Sequence, residues 1–177
     1  MNKISQLLII VSFILLVTSF FNRNKFSEDL QPVAQLKDSP KQTLLQKAPF
    51  SVEYEKILYS IEPQYDYDLY GLVVSFRHHD GNSMLHKLWN DHLNVTDVCV
   101  IWGSTALSSY LNKIDFWNGQ FTCNFKKHDN LAWSSFNQNE ISNNHLISGD
   151  EVIRRQIQKI KIGDQIRIKG HLSSYAA

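Results

Sequence analysis

Apolar side chains fill the beginning of the chain, where residues 4–21 contain no charged residue. As an α-helix, this stretch would span about 27 Å, which is close to the hydrocarbon thickness of a bilayer. The pattern predicts a transmembrane anchor over residues 1–22. A cleaved signal peptide is the first alternative, although the stretch ends without an A-x-A-like cleavage triplet. A buried helix of a soluble domain is the second.

Basic residues flank the apolar stretch on both sides: Lys3 precedes it, and Arg23 and Lys25 follow it. The positive-inside rule therefore does not fix its orientation. The short amino-terminal tail favours an amino terminus in the cytoplasm and an exported remainder. We expect a protein of the inner (plasma) membrane whose domain is extracytoplasmic.

The apolar pattern breaks down over residues 23–49. This segment contains three of the four prolines, scattered polar residues and no sustained helical or strand period. Such a composition is typical of a linker that holds a domain away from the membrane. The alternative is a loop that belongs to the domain. A single folded domain is predicted for residues 50–177.

Alternation of apolar and polar residues predicts β-strands in the rest of the chain. Two stretches are apolar on both faces instead, which is the pattern of central strands. Gly71 lies within the first of these and indicates either a bulge or a close approach of a neighbouring backbone. The predicted strands cover residues 50–54, 57–61, 69–76, 95–102, 119–126 and 165–172, of which 69–76 and 95–102 are the doubly apolar pair.

Helical segments are predicted at residues 83–92, at 104–113, at 129–136 as a short helix, and from 148 onward. The clearest helix start is Ser148-Gly-Asp-Glu151, which has capping-box spacing. In the helix that follows, Ile153 is predicted to be buried and Arg154 to be exposed. Residues 137–144 are polar and predict a loop.

The fold class follows from how these elements are connected. Most links between predicted strands are too short for regular βαβ repetition, which favours an α+β fold with a mainly antiparallel, curled sheet and about three helices. The run from Ile162 to Gly170 resembles the turn and strand that enter oligonucleotide/oligosaccharide-binding (OB) barrels. An OB-like barrel is therefore one form that the sheet is predicted to take.

Three longer motifs resemble a family of uncharacterised bacterial proteins that carry an N-terminal membrane segment. They are YGLVVSFRHHD at residues 70–80, LWNDHLN at 88–94 and DFWNGQFTCN at 115–124. Asn143–Leu146 and Ile162–Gly170 resemble the same pattern. The resemblance covers residues 65–175 and implies a bacterial envelope context, but it implies no activity.

Histidine and aspartate crowd residues 78–92, and their side chains are common zinc ligands and acid–base groups. The spacing fits no established motif, because His78 and His79 would point to opposite faces of a continuing strand. Surface or hydrogen-bonding histidines are therefore the main interpretation. If the region is a catalytic or metal site, His79, Asp80 and His86 are predicted to form it. No cofactor motif is present, so no cofactor is predicted.

The two cysteines, Cys99 and Cys123, both fall on predicted inward strand faces. In an exported domain they could form one disulfide. In the cytoplasm they would be small buried apolar residues. The location of the domain therefore decides between the two states.

A basic segment stands out against a net charge of only +1, which excludes a strongly basic nucleic-acid binder. On a barrel, its cations could face a polyanion, but no aromatic stacking platform accompanies them. A solvated face paired with acidic residues such as Asp66 and Asp68 is the main interpretation, and nucleic acid is not expected as a partner. The cations are Arg154, Arg155, Lys159, Lys161, Arg167 and Lys169.

Three hypotheses about function follow. The first is a membrane-tethered envelope protein that acts as a binding or assembly module towards protein partners, without enzymatic activity. The second is a metal-dependent, hydrolase-like enzyme that uses the region of His79, Asp80 and His86. The third is an OB-like polyanion binder that uses the basic segment.

Overall fold

The structure is a computed structural model that describes residues 3–22, 26–27, 29–79, 91–119 and 121–177. This part of the chain contains four α-helices, eight β-strands and three short 3₁₀ helices. The α-helices are α1 (Lys3–Asn22), α2 (Gly103–Ala106), α3 (Asn130–Ser135) and α4 (Glu151–Ile157). The strands are β1 (Lys41–Leu44), β2 (Phe50–Tyr54), β3 (Ile57–His78), β4 (Asn94–Ile101), β5 (Ile114–Asn118), β6 (Cys123–Lys127), β7 (Ile141–Ile147) and β8 (Gln165–Ala176). The 3₁₀ helices are Ala34–Lys37, Leu111–Lys113 and Gln138–Glu140.

The long strand β3 organises the main sheet, in which every pairing is antiparallel. Ser60 pairs with both β2 and β8, Asp66 with both β1 and β8, and Leu72 with both β4 and β8. Strand β8 therefore lies along one edge of β3, while β2, β1 and β4 follow one another along the other edge. Strand β7 pairs with the far side of β4, and β5 and β6 form a separate hairpin.

The sheet is antiparallel and curled but does not close. Its pairing with β8 shifts register between Pro63 and Tyr65, and its pairing with β4 shifts between Val73 and Ser75. Such bulges bend a strand and increase its twist. Among the described strands, β7 and β8 do not pair with each other. The α+β class is confirmed, whereas the prediction of an OB-like barrel is wrong.

The two doubly apolar stretches are the central strands, as predicted. All eight residues of β4 are buried, and so is β3 from Gly71 to Ser75. Gly71 marks a close approach, because a β-carbon there would lie 2.7 Å from the β-carbon of Val100. Apolar clusters cover both faces of these strands. Each fully buried aliphatic side chain contributes about 1.5–3 kcal/mol to folding.

The segment predicted to be a linker belongs largely to the domain. Phe26 and Leu36 are buried in the core, and β1 pairs with β3. The side chain of Asn112 accepts a hydrogen bond from the Phe26 N–H at 2.8 Å and donates one to the Phe26 carbonyl at 3.1 Å. Gln165 accepts from the N–H of Val33 at 2.6 Å in a second contact of this kind. The alternative of a loop within the domain therefore fits residues 26–44.

Helix α1 exposes apolar side chains around its whole circumference. From residue 4 to residue 19, every side chain is exposed except two that are partly buried. Within the described residues, no helix meets the combination of length and hydropathy that a membrane crossing requires.

Helix α4 is shorter and rotated relative to its prediction. Asp150, not Ser148, caps it, because its carboxylate accepts hydrogen bonds from the backbone N–H groups of residues 152 and 153. Arg154 is buried, with 7% of its surface exposed, and Ile153 is exposed.

Among the other predicted helices, α3 confirms the one at 129–136. The helix predicted at 104–113 is only α2 and a 3₁₀ helix. Residues 83–90 of the first predicted helix lie outside the described residues.

Candidate functional site

The centre of the candidate site is the carboxylate of Asp97, whose side chain is only 3% exposed in the middle of β4. Strand β7 pairs with β4 so that His145 stands directly opposite Asp97. The Nδ1 of His145 lies 2.7 Å from one carboxylate oxygen. The Nε2 of His79, just past the end of β3, lies 2.9 Å from the other. Two imidazoles therefore hold one buried carboxylate from two strands.

Chemistry fixes the direction of both hydrogen bonds. An ionised carboxylate only accepts, so the Nδ1 of His145 and the Nε2 of His79 must each donate a proton. Burial alone raises the pKa of Asp97, but the hydrogen bonds and the charges of His145 and His79 outweigh burial. The net result is a pKa of Asp97 well below its usual range. The carboxylate thus stays charged and orients the His145 ring.

The second nitrogen of His145 connects this carboxylate to a tyrosine and a further aspartate. Its Nε2 lies 2.7 Å from the hydroxyl of Tyr175, which donates to Asp91 at 2.8 Å. The two rings are stacked, with centroids 6.0 Å apart. Burial, then the hydrogen bond to Asp91, raises the pKa of Tyr175, so its hydroxyl keeps its proton. His145 thus lies within one hydrogen-bonded chain between two carboxylates.

This chain forms one wall of a pocket with a volume of about 270 Å³. The pocket combines the polar atoms of Asp91, His145 and Tyr175 with aromatic and methyl surface. Tyr59 at its floor is buried, and its hydroxyl accepts a hydrogen bond from the backbone N–H of His92 at 3.2 Å. The residues that line it are Tyr59, Asp91, Phe121, His145, Tyr175, Ala176 and Ala177.

The tip of the β5–β6 hairpin forms another part of the pocket wall. Phe121 has a positive φ of 58°, which few aromatic residues adopt, and its ring centre lies 6.1 Å from that of His145. Two contacts fix the tip against β4. The side chain of Asn118 donates to the backbone carbonyl of Asp97 at 3.2 Å. A disulfide joins Cys123 to Cys99, with 5.6 Å between their Cα atoms. Of the two states predicted for the cysteines, the structure has the disulfide.

The predicted trio is only partly described. His79 belongs to the chain of hydrogen bonds, whereas Asp80 and His86 lie outside the described residues. His78 turns away from His79, as predicted, and lies 2.7 Å from the hydroxyl of Thr96. In the part of the chain that the structure describes, no three histidine, cysteine or acidic side chains are arranged to hold a metal ion.

The six predicted cations do not form one free basic face. Arg154 was predicted to be exposed, and this is wrong: its guanidinium is buried and donates to the backbone carbonyls of Leu93, Ser148 and His92. Arg167 forms a bidentate pair with Asp68, at 2.6 and 2.9 Å. That pair supports the interpretation of a solvated face balanced by acidic residues. Arg155, Lys159, Lys161 and Lys169 are exposed.

No protein-family model, curated protein or solved structure matches this chain. No relative therefore supplies an activity or a ligand, and the functional proposal rests on the residues and their geometry.

Three residues of the site were not recognised in the sequence: Asp97, His145 and Tyr175. Asp97 carried a usable signal, because a carboxylate within a doubly apolar strand must find partners when it is buried. His145 carried none, since it directly follows residues 137–144, which predicted a loop, and is the fifth residue of β7. Tyr175 reaches the site only because β8 runs antiparallel along the curled β3.

Proposed function

We propose that this protein is a membrane-tethered envelope protein whose extracytoplasmic domain acts as a binding module. The observation that supports binding most directly is the pocket described above. It brings polar groups from three separate segments of the chain towards one small volume, between aromatic walls. Small-molecule sites have this composition, with a few placed polar groups on a mainly apolar surface.

The exposed surface of α1 supports the tether. A helix whose apolar side chains face outward on all sides is stable when an apolar medium or partner surrounds it. Ten of its large apolar side chains, between Ile4 and Leu16, are more than 40% exposed. We propose that lipid surrounds them.

The disulfide supports the extracytoplasmic location. Disulfides persist in oxidising compartments and are rare where thiols are kept reduced. Cys99 and Cys123 lie on a central strand and on the hairpin, so the bond has a structural position within the domain. The bacterial envelope context implied by the resemblance agrees with this location, and it too is part of the proposal.

Location and binding are tested separately. Alkaline phosphatase fused after residue 177 should be active, whereas a fluorescent protein that matures only in the cytoplasm should not fluoresce at the same position. Extraction with alkaline carbonate should leave the protein in the membrane fraction.

Binding is tested by ligand-observed NMR with a panel of amines, amino sugars, neutral sugars and short peptides. A hit should weaken at least tenfold in Tyr175→Phe and His145→Gln. It should be unchanged in His128→Gln, which alters an exposed histidine paired with Asp115 at 2.6 Å. A panel without any hit that depends on Tyr175 or His145 would remove the pocket from the proposal.

A second candidate is an acid–base enzyme that uses water to hydrolyse its substrate. The observation that favours it is the hydrogen-bonded chain through His145, because Asp97 holds Nδ1 while Nε2 bonds to the Tyr175 hydroxyl at the pocket, so that an acid–base group is positioned there. This candidate places the catalytic centre at Asp97, His145 and Tyr175, whereas the sequence predicted it at His79, Asp80 and His86. Hydrolysis of p-nitrophenyl acetate above the buffer rate should disappear in His145→Gln and persist in His128→Gln. Equal rates in both variants would exclude it.

A further inference from the structure

The end of α1 and the folded domain are separated by very little chain. Asn22 ends α1, and Phe26 is already inside the core. Four Cα–Cα steps lie between them, which cover at most about 15 Å even when fully extended. Both backbone polar groups of Phe26 are bonded to the side chain of Asn112, and its ring meets Phe116 edge-on at 6.4 Å. If α1 is the membrane anchor, Phe26 therefore lies within about 15 Å of the end of that anchor.

The surface next to this attachment carries lysine side chains beside a tryptophan ring. Lys113 follows Asn112 directly, and Lys127 pairs with Ile114, the next residue, across the hairpin. The Nζ of Lys127 lies 3.7 Å from the centre of the Trp133 ring, which is 61% exposed. We call this surface the Trp133 face, and it consists of Lys113, Lys127, Leu131 and Trp133.

The Trp133 face packs over the core cluster that contains Phe26. Ile114 and Ala132 are members of the core cluster that contains Phe26, and they are direct neighbours of Lys113, Leu131 and Trp133 in the sequence. Its acidic neighbours are already engaged. Asp115 is bonded to His128 at 2.6 Å, and Asp129 caps α3 by accepting from the Ala132 N–H at 2.6 Å.

From this arrangement we propose that the Trp133 face rests on the lipid headgroups of the membrane into which α1 inserts. This inference depends on the proposed tether. Tryptophan and leucine beside lysine suit the interfacial layer, where the ring is partly desolvated and the ammonium group meets anionic lipid. The chain that joins α1 to Phe26 is too short to let this face stand far from that layer.

The contact also sets the direction of the pocket. The base of the β5–β6 hairpin, at Ile114 and Lys127, lies at the Trp133 face, and its tip carries Phe121 at the pocket. From Ile114 to Asn118 the strand advances by about 14 Å. The pocket therefore opens at the end of the hairpin away from the bilayer, where molecules of the envelope can enter it.

The test uses the full chain in vesicles of phosphatidylcholine with and without phosphatidylglycerol, in which brominated acyl chains quench nearby tryptophans. Trp133→Phe should remove most of the lipid-dependent quenching. Trp117→Phe, which alters a 47% exposed tryptophan on the outer face of β5, should remove little of it. Lys127→Gln should reduce the extra quenching caused by phosphatidylglycerol, and Lys56→Gln, in the exposed turn before β3, should not.

The outcomes separate this inference from the tether itself. If the protein floats with the vesicles but Trp133→Phe retains the full quenching, the face does not touch the membrane and only this inference is overturned. Equal losses in the two tryptophan variants also overturn it. If the protein does not float with the vesicles at all, the tether and the inference are both overturned. Floatation with the expected loss in Trp133→Phe supports both.

Discussion

Replacing Asp97 with asparagine tests whether the carboxylate holds the two imidazoles. The change preserves the shape of the side chain but removes its charge, and an asparagine has one acceptor oxygen for two donors. A hydrogen bond to a charged group contributes about 1.5–3 kcal/mol, so Asp97→Asn should lower the free energy of unfolding at pH 7 by roughly that amount. Breaking a buried ion pair outright sets an upper limit of about 5 kcal/mol. Urea unfolding followed by tryptophan fluorescence measures the difference.

The matched control is Asp115→Asn, because Asp115 forms an aspartate–histidine pair whose carboxylate is 67% exposed. An exposed pair contributes less than about 1 kcal/mol. If Asp97→Asn costs no more than this control, the carboxylate does not hold the site together and the reasoning is refuted.

The pH dependence of Asp97→Asn gives an independent check. In the folded state, the pKa of Asp97 lies below the usual aspartate value of about 3.9. Its stabilising contribution is therefore complete above about pH 4 and is lost as the pH falls through the folded-state pKa. The difference in unfolding free energy between the wild-type protein and Asp97→Asn should therefore shrink in this acid range. Parallel stability curves from pH 7 to pH 2 would contradict the assignment.

Three further predictions concern the scaffold. Reducing the disulfide between Cys99 and Cys123, whose sequence separation is 24, should lower the free energy of unfolding by about 3.4 kcal/mol on the loop-entropy estimate, which urea titration with and without reductant measures. Arg154→Lys should destabilise the domain by about 2–4 kcal/mol, because its carbonyl partners stay buried, whereas Arg155→Lys on the exposed side should change the same urea midpoint little. Gly71→Ala should cost about 1–3 kcal/mol by overpacking against β4, measured in the same way.

The central part of the fold could be predicted because its signal is local. The residues of β4 and of the second half of β3 are apolar on both faces, and only a strand buried on both sides requires that pattern. Gly71 is also a local signal, because a side chain there would collide with the neighbouring strand. These features need no knowledge of distant partners.

The course of residues 26–44 could not be predicted because its partners are remote. Phe26 and Leu36 are isolated apolar residues in a polar stretch, and their burial depends on a core built from other segments. The side chains that hold this stretch, Asn112 and Gln165, lie 86 and 132 residues away from their backbone partners. No pattern within a short window contains that information.

The orientation of α4 was wrong for a related reason. Helical spacing favoured Ile153 as the buried residue, but three backbone carbonyls, those of residues 92, 93 and 148, form a site for a buried guanidinium. Arg154 donates to all three and lies over the ring of Tyr54 at 4.0 Å. The spacing of hydrophobic residues carries no information about buried carbonyl groups that need a hydrogen-bond donor.

The β5–β6 hairpin connects the two proposals physically. Its strand β5 packs against Phe26 through Phe116, and its tip places Phe121 beside His145 at the pocket. Among the described residues, two side-chain contacts hold the tip to β4, namely the hydrogen bond from Asn118 and the disulfide at Cys123. The covalent one of these two contacts forms where thiols are oxidised. Export would therefore complete the pocket wall as well as deliver the domain, and a domain retained in a reducing compartment would keep its sheet while holding Phe121 over the pocket less firmly.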